Sequence, residues 1–170
     1  KEFFHDYQIM NDDFTIDFSN NNAIIRHRNT KIDWKVTLVD TGLKAMKGAR
    51  IKRLERYIHT PFFLMTCGDG VSDVPIDRLV EFHKSHGKIG TLTGVRPPSR
   101  FGDLVIDNGR VVQFSEKTQT SGGLINGGFF VFNRPIFDYL EDRDECDFEF
   151  EALEKLAIDK QLMVFLHTGN

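Results

Sequence analysis

Residues 61–95 read PFFLMTCGDGVSDVPIDRLVEFHKSHGKIGTLTGV. Pro61–Thr66 is a continuous apolar run of strand length, which suits a central strand covered on both faces. It ends in Cys67-Gly68-Asp69-Gly70, and Asp73 then stands as a helix N-cap with Pro75 in the first turn. Ile76, Leu79, Val80 and Phe82 carry an apolar face to about His86, where Gly87 is the terminator. Ile89–Val95 is the next strand. Strand, loop, helix, strand is the βαβ pattern of a parallel sheet.

Working outward, the same reading extends in both directions. Upstream, residues 1–8 read as the tail of a helix. Phe14, Ile16 and Phe18 alternate, so Asp13–Phe18 is a half-buried strand, followed by a turn at Ser19–Asn22 and a strand at 23–27. Val36–Val39 is expected as a strand leading into Asp40-Thr41-Gly42. Ile51, Leu54 and Ile58 keep helical spacing over about 48–58. Downstream, Leu104–Ile106 and Arg110–Phe114 flank Asn108-Gly109, whose tolerance of positive φ makes a two-residue hairpin. Phe129–Phe132 and Leu162–Leu166 are strands, and Pro135–Leu140 and Phe148–Ala157 are helical. One α/β domain over 1–170 with a mixed sheet is the economical architecture.

Composition agrees. The 170 residues are 40% hydrophobic and 28% charged, which excludes a disordered chain, a collagen-like chain or a disulfide mini-protein. Sixteen of the aromatics are Phe, which fills a core without needing a hydrogen-bond partner. The net charge of −3 gives no overall bias toward nucleic acid or an anionic membrane. Its distribution is uneven: residues 26–56 carry ten Lys/Arg against three acids, and residues 138–159 carry ten acids against two bases. The basic stretch suits a small polyanion such as a nucleotide, or is a solvated helix face. The acidic stretch reads as solvated surface or an interface rim. The two cysteines, Cys67 and Cys146, show no zinc spacing. Cys67, in its apolar run, is expected to be a buried thiol, which favours a reducing, cytoplasmic compartment. No run reaches the roughly 18 apolar residues that span a bilayer.

The candidate chemistry lies at strand ends. Ligands of open α/β sheets bind beyond the carboxyl ends of the strands. Asp69, between Gly68 and Gly70, is a hard anionic donor suited to Mg²⁺, or the residues form a simple tight turn. Glu116 can accept from sugar hydroxyls and Lys117 can bind phosphate, or both are surface charges at a strand end. Asn126-Gly127-Gly128 brings an amide and bare backbone to a strand start, as a ligand approach or a bulge. Asp40-Thr41-Gly42 leads through a loop to Arg50, which near a helix start can hold phosphate with the backbone amides there, or be an ordinary surface residue. Arg96–Gly102, with Arg100, is a stiff basic loop compatible with ligand contact.

In order, these pieces resemble sugar-1-phosphate nucleotidyltransferases. The resemblance rests on Trp34–Gly42, Gly48–Arg53, Gly68–Asp73, Phe82–Lys88, Pro97–Gly102, Phe114–Lys117 and Ile125–Val131. The stretches Val36–Gly42 and Pro97–Gly102 point to the cytidylyl-transferring branch. The resemblance implies a Rossmann-like fold with a mixed, mostly parallel central sheet. It implies the reaction of CTP with glucose 1-phosphate to give CDP-glucose and pyrophosphate, with Mg²⁺ as cofactor and a homo-oligomer as the assembly. By position, Asp69 would hold the metal and Lys117 would neutralise the sugar phosphate. Glu116, Asn126 and Gly127 would meet the sugar, and Thr41, Arg50, Gly68 and Arg100 would line the substrates. The family's glycine-rich phosphate loop would precede residue 1 and its second metal carboxylate would follow residue 170. The chain is therefore expected to be the central part of one domain, inactive by itself. Two departures stand out: Cys67 where the family has an aromatic, and Thr118 where it has Pro. The alternatives are a thymidylyl- or uridylyltransferase, or a non-catalytic sugar-nucleotide-binding module.

Overall fold

A computed structural model describes residues 2–27, 33–68, 70–96, 103–107, 110–115 and 123–169. It divides into two compact units, Lys1–Asp40 and Thr41–Asn170.

The first unit opens with two short helices, α1 (Glu2–His5) and α2 (Tyr7–Asn11). A hairpin follows, β1 (Phe14–Asp17) paired antiparallel with β2 (Ala23–Arg26). Its turn is built as the sequence predicts. The Asp17 carboxylate accepts from the Ser19 amide at 2.9 Å and hydroxyl at 2.6 Å, and Asn21 and Asn22 take the left-handed φ that asparagine tolerates. Phe3, Tyr7 and Trp34 form a chain of ring contacts. The expected strand at Val36–Val39 is absent: residues 33–40 are irregular. Its alternation is sound, but a strand exists only where a neighbour takes its amides and carbonyls, and no described strand pairs with it.

In the second unit, α3 (Lys47–Arg53) and a 3₁₀ turn (Glu55–Tyr57) replace the single helix expected over 48–58. Then come β3 (Phe62–Thr66), α4 (Ile76–His86) and β4 (Gly90–Val95). β5 (Asp103–Asp107) pairs antiparallel with β6 (Arg110–Ser115), Asp107 opposite Arg110, and the Asn108-Gly109 turn expected between them lies outside the described residues. The last elements are β7 (Ile125–Asn133), a 3₁₀ turn (Arg134–Tyr139), a π-type turn (Phe148–Leu153), α5 (Glu154–Ile158) and β8 (Leu162–His167). Both segments expected to be helical, 135–140 and 148–157, are helical, but the first winds as a tighter 3₁₀ turn and the second opens as a wider π turn before it continues into α5. Pro135 lies in the first of them, and the Asp147 carboxylate caps the second by accepting from the Phe150 amide at 2.8 Å.

The sheet order is β3-β7-β4-β8. β3 and β4 each pair antiparallel with β7, and β8 pairs parallel with β4. Three of the four strands therefore share one direction and the sheet is mixed as expected, but two of its three ladders are antiparallel rather than most being parallel, because β7 runs against both its neighbours. The βαβ reading of 61–95 holds in direction, but β7 is inserted between the two strands. Among the described strands β3 is consequently an edge of this sheet rather than the covered centre that its apolar run suggests. The covered centre is β7, where Phe130 and Phe132 face one side and Val131 the other, all three buried. Phe130 and Phe132 join Ala49, Phe137, Cys146, Phe148 and Leu156 on the face covered by α3, the C-terminal turns and α5. Val131 joins Val74 and Leu79 under α4.

Helix α4 ends as its sequence dictates, with Gly87 at φ 65°. Its start differs from expectation. Pro75 occupies the N-cap position, and the Asp73 carboxylate instead accepts from His167 Nε2 at 2.8 Å. The basic and acidic stretches also have a use that composition did not show: they pair in part with one another. Arg53 donates to Asp142 at 2.6 Å and Asp144 at 2.8 Å, and Lys47 pairs with Glu149.

Candidate active site

The carboxyl ends of β3, β4 and β8 lie at one end of the sheet, together with the start of the opposed strand β7. Beside the end of β3 is a cavity of about 650 Å³. Ile51 of α3, Met65 of β3, Phe130 of β7 and Phe148 form its apolar wall. Lys47, Arg50, Glu149, Thr66, Cys67 and Gly68 supply the polar rim. An apolar wall with a few convergent polar groups is the usual construction of a small-molecule site.

Two of the residues expected from sequence, Arg50 and Gly68, line this cavity. Thr41 reaches it through Arg50. The guanidinium spends each of its three nitrogens on the 41–45 loop: Nε on the Ala45 carbonyl at 2.7 Å, one terminal nitrogen on Thr41 Oγ1 at 3.0 Å, and the other on the Leu43 carbonyl at 3.2 Å. Arg50 thus braces a loop as well as bordering the cavity. The amide of Ala49, at the start of α3, donates to the Cys146 carbonyl. A Cβ at Gly48 would stand 2.7 Å from that oxygen, so glycine is what lets the helix come this close.

Asn126 and Gly127 open β7 at the same end of the sheet. Asn126 Oδ1 accepts from the Gly128 amide at 2.9 Å, and the Gly128 carbonyl accepts from the Cys67 amide at 3.2 Å, which ties the start of β7 to the end of β3. Gly127 has a packing reason of its own, since a Cβ there would stand 2.7 Å from Thr93 Oγ1 and 2.9 Å from Val95 Cγ1. Asp69, Arg100, Glu116 and Lys117 lie outside the described residues.

Cys67 is exposed, contrary to expectation, because the apolar run ends one residue earlier and the thiol sits on the cavity rim. Cys146 is the buried one. Sequence reasoning missed Lys47 and Glu149. Their ion pair closes one side of the rim, and the hydrogen bond to Glu149 holds the Lys47 ammonium above its ordinary range. Both sit inside the charge runs noted above, but a run does not say which members meet. Among the described residues, no group of three His, Cys, Asp or Glu could hold a metal, and no helix is long and apolar enough to cross a membrane.

The sequence pattern of the nucleotidyl transferase family matches residues 45–169. Glucose-1-phosphate cytidylyltransferases of Salmonella typhi and of Salmonella typhimurium (strain LT2) are each 44% identical over 170 residues, covering 99% of this chain and 65% of theirs. A probable glucose-1-phosphate cytidylyltransferase of Bacillus subtilis (strain 168) is 37% identical over 169 residues, with the same coverage of 99% and 65%. The chain therefore spans just under two thirds of the length of these relatives. Among solved structures, HddC from Yersinia pseudotuberculosis complexed with GMP-PN aligns with a TM-score of 0.55 at 21% identity, covering 99% of this chain and 66% of that one. At that identity the likeness shows the fold.

Proposed function

The chain belongs to the nucleotidyl transferase family, and from that premise we propose that it is the central part of a cytidylyltransferase. The reaction is CTP plus glucose 1-phosphate giving CDP-glucose plus pyrophosphate. The observation that carries this reading is 44% identity along 99% of the chain to proteins named for that activity.

In this reading an oxygen of the sugar phosphate attacks the α-phosphorus of CTP in line, and pyrophosphate leaves with the β- and γ-phosphates. No covalent protein intermediate is needed, so the protein's work is positioning and charge neutralisation. Lys117 neutralises the sugar phosphate. Glu116 and Asn126 hold sugar hydroxyls, with Gly127 giving room. Thr41, Arg50, Gly68 and Arg100 border the substrates. Asp69 is assigned to Mg²⁺, which when bound neutralises charge across the nucleotide phosphates. The donor set fits that ion, because Mg²⁺ is held by one or two carboxylates plus substrate phosphates and keeps several waters. The exposed glycines on either side of Asp69 are also compatible with the approach of a polyphosphate. The nucleotide substrate suits a cytoplasmic enzyme, and a homo-oligomer is the proposed assembly.

A pyrophosphate-release assay with CTP and glucose 1-phosphate tests the reading. The full-length parent turns over, Asp69→Ala lowers kcat by at least about a hundredfold if the metal carries that share of the charge stabilisation, and the 170-residue segment alone is inactive. Base competition separates CTP from UTP and dTTP. A full-length parent that turns over no nucleoside triphosphate with any sugar phosphate overturns the proposal.

A further inference from the structure

Asp73 and His167 lie 94 residues apart in sequence, and Asp73 Oδ1 accepts from His167 Nε2 at 2.8 Å. The His167 side chain is 8% exposed and that of Asp73 is 72% exposed. A buried ring is thus aimed outward at a carboxylate that belongs to a surface connection.

The topology gives the pair its interest. Among the described strands, β3 and β8 are the two opposite edges of the sheet. The connection that leaves β3 at Thr66 reaches Asp73, and Asp73 meets the last residue of β8. Between those edges lie three strand spacings, roughly 14 Å at about 4.8 Å each. Six residue steps from Cys67 to Asp73 reach up to about 20 Å when extended. The connection therefore bridges the carboxyl end of the sheet from one edge to the other. Val74 is buried with Leu79 and Val131 and seats the connection from below, while the exposed Asp73 fastens it to β8 from above. The backbone after β8 closes on the same point: a Cβ at Gly169 would stand 2.3 Å from Asp73 Oδ1 and 2.6 Å from His167 Nε2. Glycine at 169 leaves the room that the pair occupies.

We propose that Asp73 and His167 are a positioning pair that fastens the β3–α4 connection across the carboxyl end of the sheet as a strap. This inference rests on the function proposed above in one respect: the strap is the stretch of chain that contains Asp69. Under that reading, a fastened strap sets the affinity for Mg²⁺ with CTP rather than the rate of the chemical step once both are bound.

The test uses Asp73→Ala in the full-length protein, which removes the acceptor from an exposed side chain and leaves the buried imidazole in place. Gly169→Ala is the independent variant, because it displaces the pair while keeping both members. Amide exchange of residues 70–74 rises by roughly tenfold in both, the lower end of what losing a charge-assisted hydrogen bond costs. Calorimetric affinity for Mg²⁺ with CTP falls by a similar factor of about ten, with kcat at saturating Mg²⁺ within about twofold of wild type. Asp73→Asn keeps an acceptor oxygen and restores most of both. Unchanged exchange in Asp73→Ala and Gly169→Ala overturns the strap. Faster exchange with unchanged Mg²⁺ and CTP affinity overturns the positioning role. A wild-type protein that neither binds nor turns over CTP overturns the enzymatic reading, while the exchange measurement still decides the strap.

Discussion

On one face of the four-stranded sheet, Phe130 and Phe132 stack with ring centroids 5.6 Å apart and meet the edge of Phe148 at 5.5 and 5.9 Å. On the other face, Val131 lies beside a buried polar group: His83, Thr91 and Thr93 are each at most 1% exposed. The first face is held by close packing, which has no direction and no pH dependence. The second is held in part by directed protons. The Lys88 amide donates to His86 Nδ1 at 2.9 Å, so the neutral ring carries its proton on Nε2 and donates to Thr91 Oγ1 at 2.7 Å. The Thr91 hydroxyl is then free to donate to His83 Nδ1 at 2.8 Å. The two faces of one sheet thus carry two kinds of core, and these fail under different conditions.

The largest expected effect breaks the packed face. Phe132 is fully buried against Phe63, Phe130 and Phe148, so Phe132→Ala destabilises by about 3–5 kcal/mol in denaturant unfolding. A change under about 1 kcal/mol would mean that the face is loosely packed.

The second effect sharpens the contrast through pH. Burial holds the His83 and His86 imidazoles below their ordinary value of 6.5, with the His83 and Lys88 charges adding to the effect at His86. The unfolded chain therefore binds more protons than the folded one once pH falls below 6.5. Stability is full above that pH and declines as acidification proceeds toward the lower folded values. The melting temperature should drop by a few degrees between pH 7 and 5, and the drop should shrink in a His83→Gln/His86→Gln variant. An equal drop in both proteins would assign the acid sensitivity to other groups.

The smallest effect is on the rim. Arg53 links the Thr41 carbonyl, at 2.6 Å, to two exposed carboxylates, Asp142 and Asp144. Arg53→Gln should lower the melting temperature only slightly, and part of that loss should vanish in 1 M salt. Thermal melts at low and high salt measure it.

Much of this fold is legible in the order of residues. Gly87 marks the end of α4, and Asn21 and Asn22 build the first hairpin turn. Each is a local requirement of φ or of turn length, so a few residues carry it. Edge and centre were not legible. The apolar run at 62–66 became an edge because β7 pairs with it on one side, and the run at 36–39 found no described partner strand. Of the candidate site, Arg50, Gly68, Asn126 and Gly127 fall at the predicted end of the sheet. The exposure of Cys67, the Lys47–Glu149 pair and the partner of Asp73 depend on segments far apart in the chain.

The sequence by itself determined the types of element, their turns, the direction shared by β3 and β4, and a set of motifs placed at strand ends. These rest on short-range sterics and periodicity. Tertiary structure alone decided that β7 separates β3 from β4, that Arg50 braces the 41–45 loop, that basic and acidic runs meet, and that Asp73 answers His167 rather than capping a helix. The reason is common to all four. Hydrogen-bond and charge partners are chosen by which surfaces pack together, and that choice is made between residues tens of positions apart.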